Sequence, residues 1–400
     1  MVTGKKVTPV KSSHFKPVPI WQKISVFFRN IDFLLLFIVG LLGAAGILTL
    51  YSTSGGSARF DAQLNNWLLA LAVAIVVAQI RPAYLQQLAF PIYLLGVVLL
   101  LGVEIFGETR KGATRWLNLG VTSIQPSELM KIAMPMMLAW WFHQRHKMES
   151  VSNFVVAAVI LLIPVALIMH QPDLGTALLV LIAGIAVMFF AGLSWLFIIP
   201  PVILVIVGAA FLITYEQNLC QPGVDWWFLH DYQVKRVCTL LDPYRDPSGA
   251  GYHIIQSTIA IGSGGLTGQG FMQGTQTHLD FIPERATDFI FAVYAEEFGL
   301  LGNGLLLLGY IFLIWRGLII AAKATTMFSR LLACGITLIF FVCSFVNIGM
   351  VSGILPVVGV PLPFMSYGGT ALVTFGLGIG LLMSVCGDTR QKRKEEKVLE

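Results

Sequence analysis

The chain has 400 residues, of which 56% are hydrophobic and only 12% are charged, and its mean hydropathy is +0.79. So few polar side chains cannot cover a soluble globule of this length, which argues against a soluble cytosolic enzyme. The 26 Lys and Arg residues outnumber the 21 Asp and Glu residues, but they lie at the ends of apolar runs rather than along one soluble face. They therefore give no support for nucleic-acid binding.

Ten apolar runs are long enough to cross a bilayer. They lie at residues 33–51, 64–80, 83–106, 127–143, 153–170, 174–191, 194–214, 288–315, 330–352 and 367–387. The sequence therefore predicts an all-α polytopic membrane protein with ten transmembrane helices, in a membrane domain over residues 32–387. The first run is too long for a signal peptide and lacks a cleavage site of small residues, so we interpret it as a retained helix.

The distribution of Lys and Arg predicts the orientation in the membrane. Most of them lie in the basic tail 1–31, the charged tail 388–400 and the short connections on the same side. Because cytoplasmic segments are enriched in these residues, we expect both termini to be cytoplasmic. Residues 215–287 then form one large extracytoplasmic loop between helices 7 and 8.

A cationic patch around an aromatic ring precedes the fourth predicted helix, and such a patch suits an anion at the membrane surface. The helix opens with Pro126 in its first turn and Glu128 at the positive end of the helix dipole. Glu128 and Lys131 are three residues apart and can pair, although an ordinary interfacial capping turn would also explain them. The candidate anion-binding residues are Arg110, Lys111, Arg115, Trp116, Gln125, Glu128 and Lys131.

The predicted outer loop contains Cys220 and Cys238. They can form a disulfide if the compartment is oxidising, and two free thiols are the alternative. No CxxC pair is present, so a thiolate metal cluster is not expected. The stretch IGSGGLTGQG fails the spacing of a phosphate-binding fingerprint, and we interpret it as a bent, closely packed backbone.

Asp288 follows the loop in FIPERATDFIFAVYAEE, where Thr287 and Asp288 mark a predicted helix start. An acid there is either an ordinary N-terminal residue or a catalytic base, and a base would require burial to oppose the effect of the helix dipole on its pKa. Glu296 and Glu297 lie further into the helix, and we interpret them as structural or interfacial support.

The segment SGILPVVGVPLPFMSYGG carries no charge and contains three prolines, so it is too interrupted for a helix and too apolar for an aqueous loop. We expect it to line or cap a cavity near the bilayer, with Ser366 and Tyr367 as candidate substrate contacts. An apolar turn packed between helices is the alternative.

Several motifs together resemble the SEDS family of cell-wall proteins. They are KGATRWLNLG, QPSELMKIA, HQPDLGTALL, DYQVKRV, LDFIPERATDFIFAVYAEEFG and VNIGMVSGILPVVGVPLPFMSYGG, which occur in that order between residues 32 and 387. The resemblance is strongest to the elongation branch of the family. It implies a peptidoglycan glycosyltransferase that polymerises lipid II, with Asp288 as the essential aspartate. It also implies a multi-pass protein of the bacterial cytoplasmic (inner) membrane.

The resemblance further implies a class B penicillin-binding protein, MreC and MreD as partners. A divalent cation, Mg²⁺ or Mn²⁺, is possible at the pyrophosphate of the substrate. Many members carry His immediately before the Thr-Asp pair, where this chain has Ala286, and we expect Ala286→His to shift the pH optimum. Two other functions stay open: a lipid II transporter, and a scaffold without catalytic activity for the penicillin-binding protein.

Overall fold

The computed structural model describes residues 30–399 apart from 111–112, 119–122, 146–149, 222–223, 225, 227–230, 247–248, 280 and 282–283. The predicted basic tail and Lys111 therefore lie outside the described residues, apart from the last two residues of the tail. Helices account for most of the fold. In chain order they are α1 (Phe33–Ser54), α2 (Ala58–Ala78), α3 (Pro82–Phe106), α4 (Pro126–His143), α5 (Val151–His170), α6 (Leu174–Phe190), α7 (Trp195–Thr214), α8 (Glu216–Leu219), α9 (Asp231–Leu241), α10 (Ala250–Ser263), α11 (Thr275–His278), α12 (Ile290–Lys323), α13 (Met327–Val351) and α14 (Gly369–Leu399).

Each of the ten predicted runs coincides with one of these helices, and the polytopic all-helical class is confirmed. Within the described residues, eight helices are long and apolar enough to cross a membrane, namely α1, α2, α3, α5, α7, α12, α13 and α14. Helix α6 is apolar but has 17 residues, and α4 carries Glu128 and Lys131 within its apolar surface. A count of ten spans stays a prediction.

The centre of the bundle is formed by α13 and α4. In α13, 78% of the membrane-spanning window is buried, and α4 packs against α3, α6 and α13. Helix α7 is the opposite case, because none of its residues is buried. Its apolar surface is suited to contact with lipid, where only a helix with internally satisfied backbone groups is stable.

A small antiparallel sheet precedes α4 and was not predicted from the sequence. Strands β1 (Glu108–Arg110), β2 (Ala113–Asn118) and β3 (Ser123–Ile124) pair in that order. Successive side chains of a strand point to opposite faces, so Arg115 and Leu117 share one face of β2, and Leu117 is buried. The sheet thereby turns Arg115 toward the bundle.

The region between α7 and α12 is folded rather than extended. It contains α8 to α11 and a 3₁₀ helix (Pro243–Arg245). Cys220 and Cys238 form a disulfide with a Cα–Cα distance of 5.7 Å, so of the two alternatives for these cysteines the structure has the bonded pair. Arg245 donates a hydrogen bond of 2.8 Å to the carbonyl of Cys220. The disulfide and this contact join the start of the loop to its middle.

Helix α12 is broken at Gly299, whose φ is 62° and ψ is −161°. The Gly-rich stretch that follows α10 fills the break. The N–H of Leu300 donates to the carbonyl of Gly265 at 2.9 Å, and the N–H of Gln269 donates to the carbonyl of Glu296 at 2.9 Å. This pairing satisfies backbone groups that the break releases from the helix. The interpretation of this stretch as closely packed backbone is confirmed.

Candidate active site

Asp288 lies in a turn just before α12. The sequence predicted that the helix starts at Thr287 and Asp288, but α12 begins at Ile290 with Phe289 as its N-cap. The prediction was wrong by two residues because the N–H groups of Thr287 and Phe289 both donate to the carbonyl of Glu284, at 3.0 and 3.3 Å. These bonds form a turn that places the Asp288 side chain outside the helix.

Three consecutive backbone carbonyls of this turn accept hydrogen bonds from other elements. The N–H of Tyr367 donates to the carbonyl of Ala286 at 2.8 Å, and the Ser366 hydroxyl donates to the carbonyl of Thr287 at 2.6 Å. Asn347 Nδ2 donates to the carbonyl of Asp288 at 2.9 Å. The main chain at Asp288 is therefore fixed from two sides, and its carboxyl group is placed by the backbone.

The carboxyl group of Asp288 is half-buried and faces Gly359. Gly359 has a φ of 73°, and a Cβ added to it would lie 3.5 Å from Asp288 Oδ2. A φ in this range favours glycine, and the missing side chain leaves the space next to the carboxylate open. Asn347 also donates to the carbonyl of Val360 at 2.7 Å, so one buried amide joins both sides of this space.

The segment 352–368 packs between helices and borders Asp288. Its residues Val360, Leu362 and Phe364 are buried. The Ser366 hydroxyl accepts from the N–H of Leu362 at 2.8 Å as well as donating to the turn. Because both interactions of this hydroxyl lie inside the protein, Ser366 positions the Asp288 turn. Substrate contacts by Ser366 and Tyr367 stay a prediction.

The predicted pair of Glu128 and Lys131 is present. Lys131 Nζ lies 2.6 Å from Glu128 Oε1, and Lys131 is only 1% exposed. Glu128 Oε2 is buried and has no hydrogen-bond partner among the described residues. A direct contact of Lys131 with a substrate would require this buried pair to open, so its role as a substrate contact stays a prediction.

Asp173 joins the candidate residues of this region and was missed from the sequence. Its Oδ1 caps α6 and lies 3.7 Å from Arg115 Nη1. Gln125 Nε2 and the Ser127 hydroxyl donate to Oδ2 at 3.0 and 3.3 Å. An Asp before an apolar run is a helix-start signal, but that signal alone could not show that Asp173 meets Arg115.

Arg115 is the partly exposed cation of the region, with 27% of its side chain exposed. Its Nη2 donates to the carbonyl of Pro172, while its Nε is buried without a hydrogen-bond partner among the described residues. Trp116 lies half-buried on the next position of β2. The side chains of Arg110 and Lys111 lie outside the described residues, so the full cationic patch stays a prediction.

The two regions share one end of the bundle. A Cβ added to Gly175, in the first turn of α6, would lie 2.6 Å from the carbonyl oxygen of Val358. On one side, the segment around Val358 and Gly359 therefore contacts α6, the helix that Asp173 caps. On its other side, the segment borders Asp288. This arrangement places the half-buried carboxyl group of Asp288 on one side of the segment and, on the other, the helix whose cap Asp173 pairs with Arg115.

Glu296 and Glu297 have structural contacts, as the sequence interpretation proposed. Glu296 is 0% exposed and accepts hydrogen bonds from the N–H groups of Gln276 and Thr277 at 2.8 and 3.2 Å. It thus binds the start of α11, where a carboxylate is favoured by the unpaired N–H groups. Glu297 accepts a hydrogen bond from Ser52 of α1.

His253 of α10 is a further group near Asp288 that the sequence analysis did not select. Its ring stacks on Phe289 with a centroid distance of 5.5 Å and an interplanar angle of 22°. Its Nδ1 is buried and has no hydrogen-bond partner among the described residues. Burial lowers the pKa of His253, and the nearby Glu284 carboxylate partly opposes this effect. The neutral ring is therefore favoured.

Comparison with known proteins places these features in a family. The family model for FtsW, RodA and SpoVE, described as cell cycle proteins, matches residues 29–391. The chain is 48% identical over 367 residues to the peptidoglycan glycosyltransferase MrdB of Escherichia coli K12, covering 91% of the chain and 94% of the relative. It is 38% identical to stage V sporulation protein E of Bacillus subtilis 168, over 73% of the chain and 76% of that protein.

Two solved structures have a similar fold. One is a chain from a peptidoglycan synthase complex described as coordinating polymerization and crosslinking, with a TM-score of 0.74 and 34% identity over 90% of this chain and 98% of that one. The other is the rod shape determining protein RodA of Thermus thermophilus, with a TM-score of 0.65 and 28% identity over 89% and 97%.

Proposed function

The chain belongs to the FtsW, RodA and SpoVE family of cell cycle proteins and is a peptidoglycan glycosyltransferase, and we propose that Asp288 is its general base. In this proposal it polymerises lipid II into β-1,4 glycan strands during cell elongation. The observation that supports the assignment is the contrast at Asp288 between a backbone fixed by three hydrogen bonds and a half-buried carboxyl group beside Gly359.

The proposed reaction is an inverting transfer. The 4-hydroxyl of an acceptor GlcNAc attacks the anomeric carbon of a MurNAc bound to undecaprenyl pyrophosphate. The new C–O bond forms as the bond to the pyrophosphate oxygen breaks, and Asp288 takes the hydroxyl proton. A base for this step must be within hydrogen-bond reach of the hydroxyl and held in position, and the three contacts to the Asp288 turn supply that positioning.

The departing pyrophosphate carries negative charge and requires stabilisation. We propose Arg115 as a direct contact because 27% of its side chain is exposed, whereas the Lys131 side chain is buried. Arg110 and Lys111 are proposed to complete the cationic patch. Gln125, Glu128 and Lys131 support Arg115 indirectly in this proposal, since Gln125 binds Asp173 and Lys131 forms a buried pair with Glu128.

A divalent cation, Mg²⁺ or Mn²⁺, stays a separate proposal. Within the described part of the chain, no three His, Cys, Asp or Glu side chains come together in an arrangement that fits a metal ion. Such an ion would therefore depend on phosphate oxygens of the substrate for a large share of its ligands. We derive no step of the reaction through it.

The protein spans a membrane several times, and we propose that this is the bacterial inner membrane with both termini cytoplasmic. The Cys220–Cys238 disulfide supports an oxidising compartment for the loop 215–287. A polymerase needs a transpeptidase to crosslink its product, and the similar chain in a peptidoglycan synthase complex supports a class B penicillin-binding protein as partner. MreC and MreD are proposed as further partners.

The experiment that tests the base uses purified protein together with its cognate class B penicillin-binding protein, supplied with lipid II and divalent cation. Glycan products of wild type and Asp288→Asn are separated on a gel. Asp61→Asn is the matched control, because it makes the same chemical change at an exposed position. We expect long glycans from wild type and the control and none from Asp288→Asn.

Other outcomes would favour other functions. Equal glycan from wild type and Asp288→Asn would retain the polymerase and remove Asp288 as its base. No glycan from either protein would favour a lipid II transporter or a scaffold. Movement of lipid II across vesicle membranes would then distinguish the transporter from the scaffold.

A further inference from the structure

A cavity with cationic side chains in its lining lies at the end of the bundle where α1 begins and α12 ends. Its volume is about 160 Å³. It is enclosed by the last turns of α12 and by the part of α14 that extends beyond the apolar run. Its lining includes the apolar side chain of Ile319 and four cationic side chains, those of Arg316, Lys323, Arg390 and Arg393.

One buried carboxylate organises two of the cations. Asp32, the N-cap of α1, is 1% exposed. Its Oδ2 lies 2.5 Å from Arg316 Nη2 and 3.5 Å from Arg390 Nη2. Arg390 also donates to the carbonyl of Ile31 at 3.2 Å. Because a single carboxylate faces two guanidinium groups, the pairing fixes their positions and leaves a positive charge in excess.

The other two cations of the cavity are exposed and uncompensated. Neither Lys323 nor Arg393 forms an ion pair or a hydrogen bond with any other described residue. The neighbouring Lys392 differs, because its Nζ lies 2.9 Å from Asp388 Oδ2. The cavity therefore contains four positive charges against the single negative charge of Asp32, and this excess suits a phosphate group.

Apolar residues continue from the cavity toward the membrane. Trp315, Ile319 and Lys323 are spaced by four residues along α12, so they follow one face of the helix. Trp315 is 53% exposed, and aromatic side chains of this kind are common at the interface between membrane and water. A ligand with its phosphate at Lys323 would thus have its apolar part along Ile319 and Trp315.

The size of the cavity limits the ligand. Pockets that enclose a complete drug-sized ligand have volumes of roughly 300–1,000 Å³, whereas this cavity has about 160 Å³. It has room for a phosphate and a few adjoining atoms, so the rest of the molecule must lie outside. A lipid meets this requirement because its acyl chains stay in the bilayer.

We propose that this cavity binds the phosphate of an anionic phospholipid headgroup in the leaflet next to the chain ends. Arg316 and Arg390 bind the phosphate oxygens, Lys323 and Arg393 neutralise the remaining charge, and the acyl chains lie along the exposed face of α12. A basic pocket between transmembrane helices is a known type of lipid headgroup site. A free phosphate compound has the same charge but no apolar part.

The test uses the full-length protein, delipidated in detergent, and follows its thermal unfolding midpoint against lipid concentration. The probes are dioleoyl phosphatidylglycerol, dioleoyl phosphatidylcholine and inorganic phosphate. The variant Lys323→Gln/Arg393→Gln removes the two uncompensated cations. Lys392→Gln/Lys394→Gln is the matched control, because it removes the same charge from α14 at positions that do not line the cavity.

We expect phosphatidylglycerol to raise the midpoint of wild type and control, while phosphatidylcholine and phosphate do not. In Lys323→Gln/Arg393→Gln the half-maximal phosphatidylglycerol concentration should rise about 30-fold, given about a fivefold effect per cation near a membrane surface. In the control it should change less than about threefold. The charge-preserving variant Lys323→Arg/Arg393→Lys should keep the wild-type response.

Three results would overturn the proposal. Equal weakening in both double Gln variants would show that only the general surface charge attracts the lipid. A full shift of the midpoint with inorganic phosphate alone would assign the cavity to a soluble phosphate compound. Loss of the response in the charge-preserving variant would also count against it, because phosphate recognition by cations would then not explain the site.

Discussion

Asp288 and Glu296 are acids only eight residues apart, and the protein holds them in opposite ways. The carboxylate of Glu296 is buried, and its oxygens accept hydrogen bonds from the start of α11. At Asp288 the hydrogen bonds from Ser366 and Asn347 go to the backbone of the turn, and the carboxyl group is half-buried. A structural acid is thus tied through its side chain, whereas the candidate base is tied through its main chain.

This difference explains why two neighbouring acids have separate roles. A carboxylate whose oxygens accept hydrogen bonds from internal N–H groups stabilises the fold, but it cannot take a proton from a substrate without losing those bonds. Hydrogen bonds to the backbone fix the position of the turn at Asp288 and do not themselves occupy the oxygens of its carboxyl group. Substitutions at the two acids should therefore affect different measurements.

Among the substitutions that test this contrast, the largest effect is expected for Asp288→Glu. This change keeps the charge but moves the carboxylate by about one methylene group from the position that the turn gives it. A displacement of about 1 Å can cost about 100-fold in rate, and we expect a loss of that size in glycan polymerisation by the purified complex. The thermal unfolding midpoint should stay at the wild-type value. Retention of more than half the activity would show that the placement of the carboxylate is not limiting.

Glu296→Gln should show the reverse pattern. The substitution replaces a carboxylate that accepts from Gln276 and Thr277 with an amide, and hydrogen bonds to charged groups contribute about 1.5–3 kcal/mol each. We expect a free energy of unfolding lower by about 1–3 kcal/mol, measured as a reduced thermal midpoint. Activity per folded molecule should stay within about twofold of wild type. A rate loss as large as that of Asp288→Glu would contradict the contrast.

Ser366→Ala tests the main-chain positioning of Asp288. It removes the donor to the carbonyl of Thr287 and leaves the N–H of Leu362 without its acceptor. We expect kcat to fall about tenfold, with little change in KM, because the turn loses one of its three contacts. The matched control is Ser344→Ala, whose hydroxyl donates, among the described residues, to the carbonyl of Phe340 in its own helix. A rise in KM without a fall in kcat would favour the predicted direct contact of Ser366 with substrate.

The smallest effect is expected for the pH dependence of stability at His253. Because its pKa in the folded protein is lowered by burial, the unfolded chain binds more protons than the folded one just below the ordinary pKa of His, about 6.5. Stability is then complete above that pH and decreases as the pH falls through the lowered pKa.

His253→Gln should flatten the decrease of the thermal midpoint below about pH 6.5. His143→Gln, which removes an imidazole without an ion pair or a hydrogen bond to the other described residues, is the control and should retain the wild-type slope. If the two variants have the same slope as wild type, the buried ring does not contribute to the acid sensitivity of the fold.

Local patterns in the sequence were sufficient for part of this molecule. Apolar runs predicted every long helix, since length and hydropathy are properties of contiguous residues. The spacing of three residues predicted the pair Glu128–Lys131 for the same reason. Glu296, which the sequence analysis interpreted as structural or interfacial support, has structural contacts with the start of α11.

Contacts between distant segments could not be predicted in this way. Asn347 is 59 residues from Asp288 and Asp173 is 58 residues from Arg115, so no local pattern joins them. The sheet at β1 to β3 was missed because its strands are short and interrupted by charged residues. Asn347 could have been recognised from the sequence as a candidate site residue by one signal. It is a lone amide in the apolar run of α13, and such a group needs hydrogen-bond partners.

The break in α12 at Gly299, with the Gly-rich stretch that fills it, also limits how this chain can change during evolution. A Cβ on Gly264 would overlap the carbonyl of Ala295, one on Gly268 the carbonyl of Glu297, and one on Gly299 the backbone around Leu266 and Gly268. Trimming a neighbouring side chain cannot relieve any of these overlaps, because the obstacle is main chain. Second-site changes are therefore not expected to rescue substitutions at these three glycines. A mutational scan should find that only glycine is tolerated at each position, although none of the three takes part in the proposed reaction.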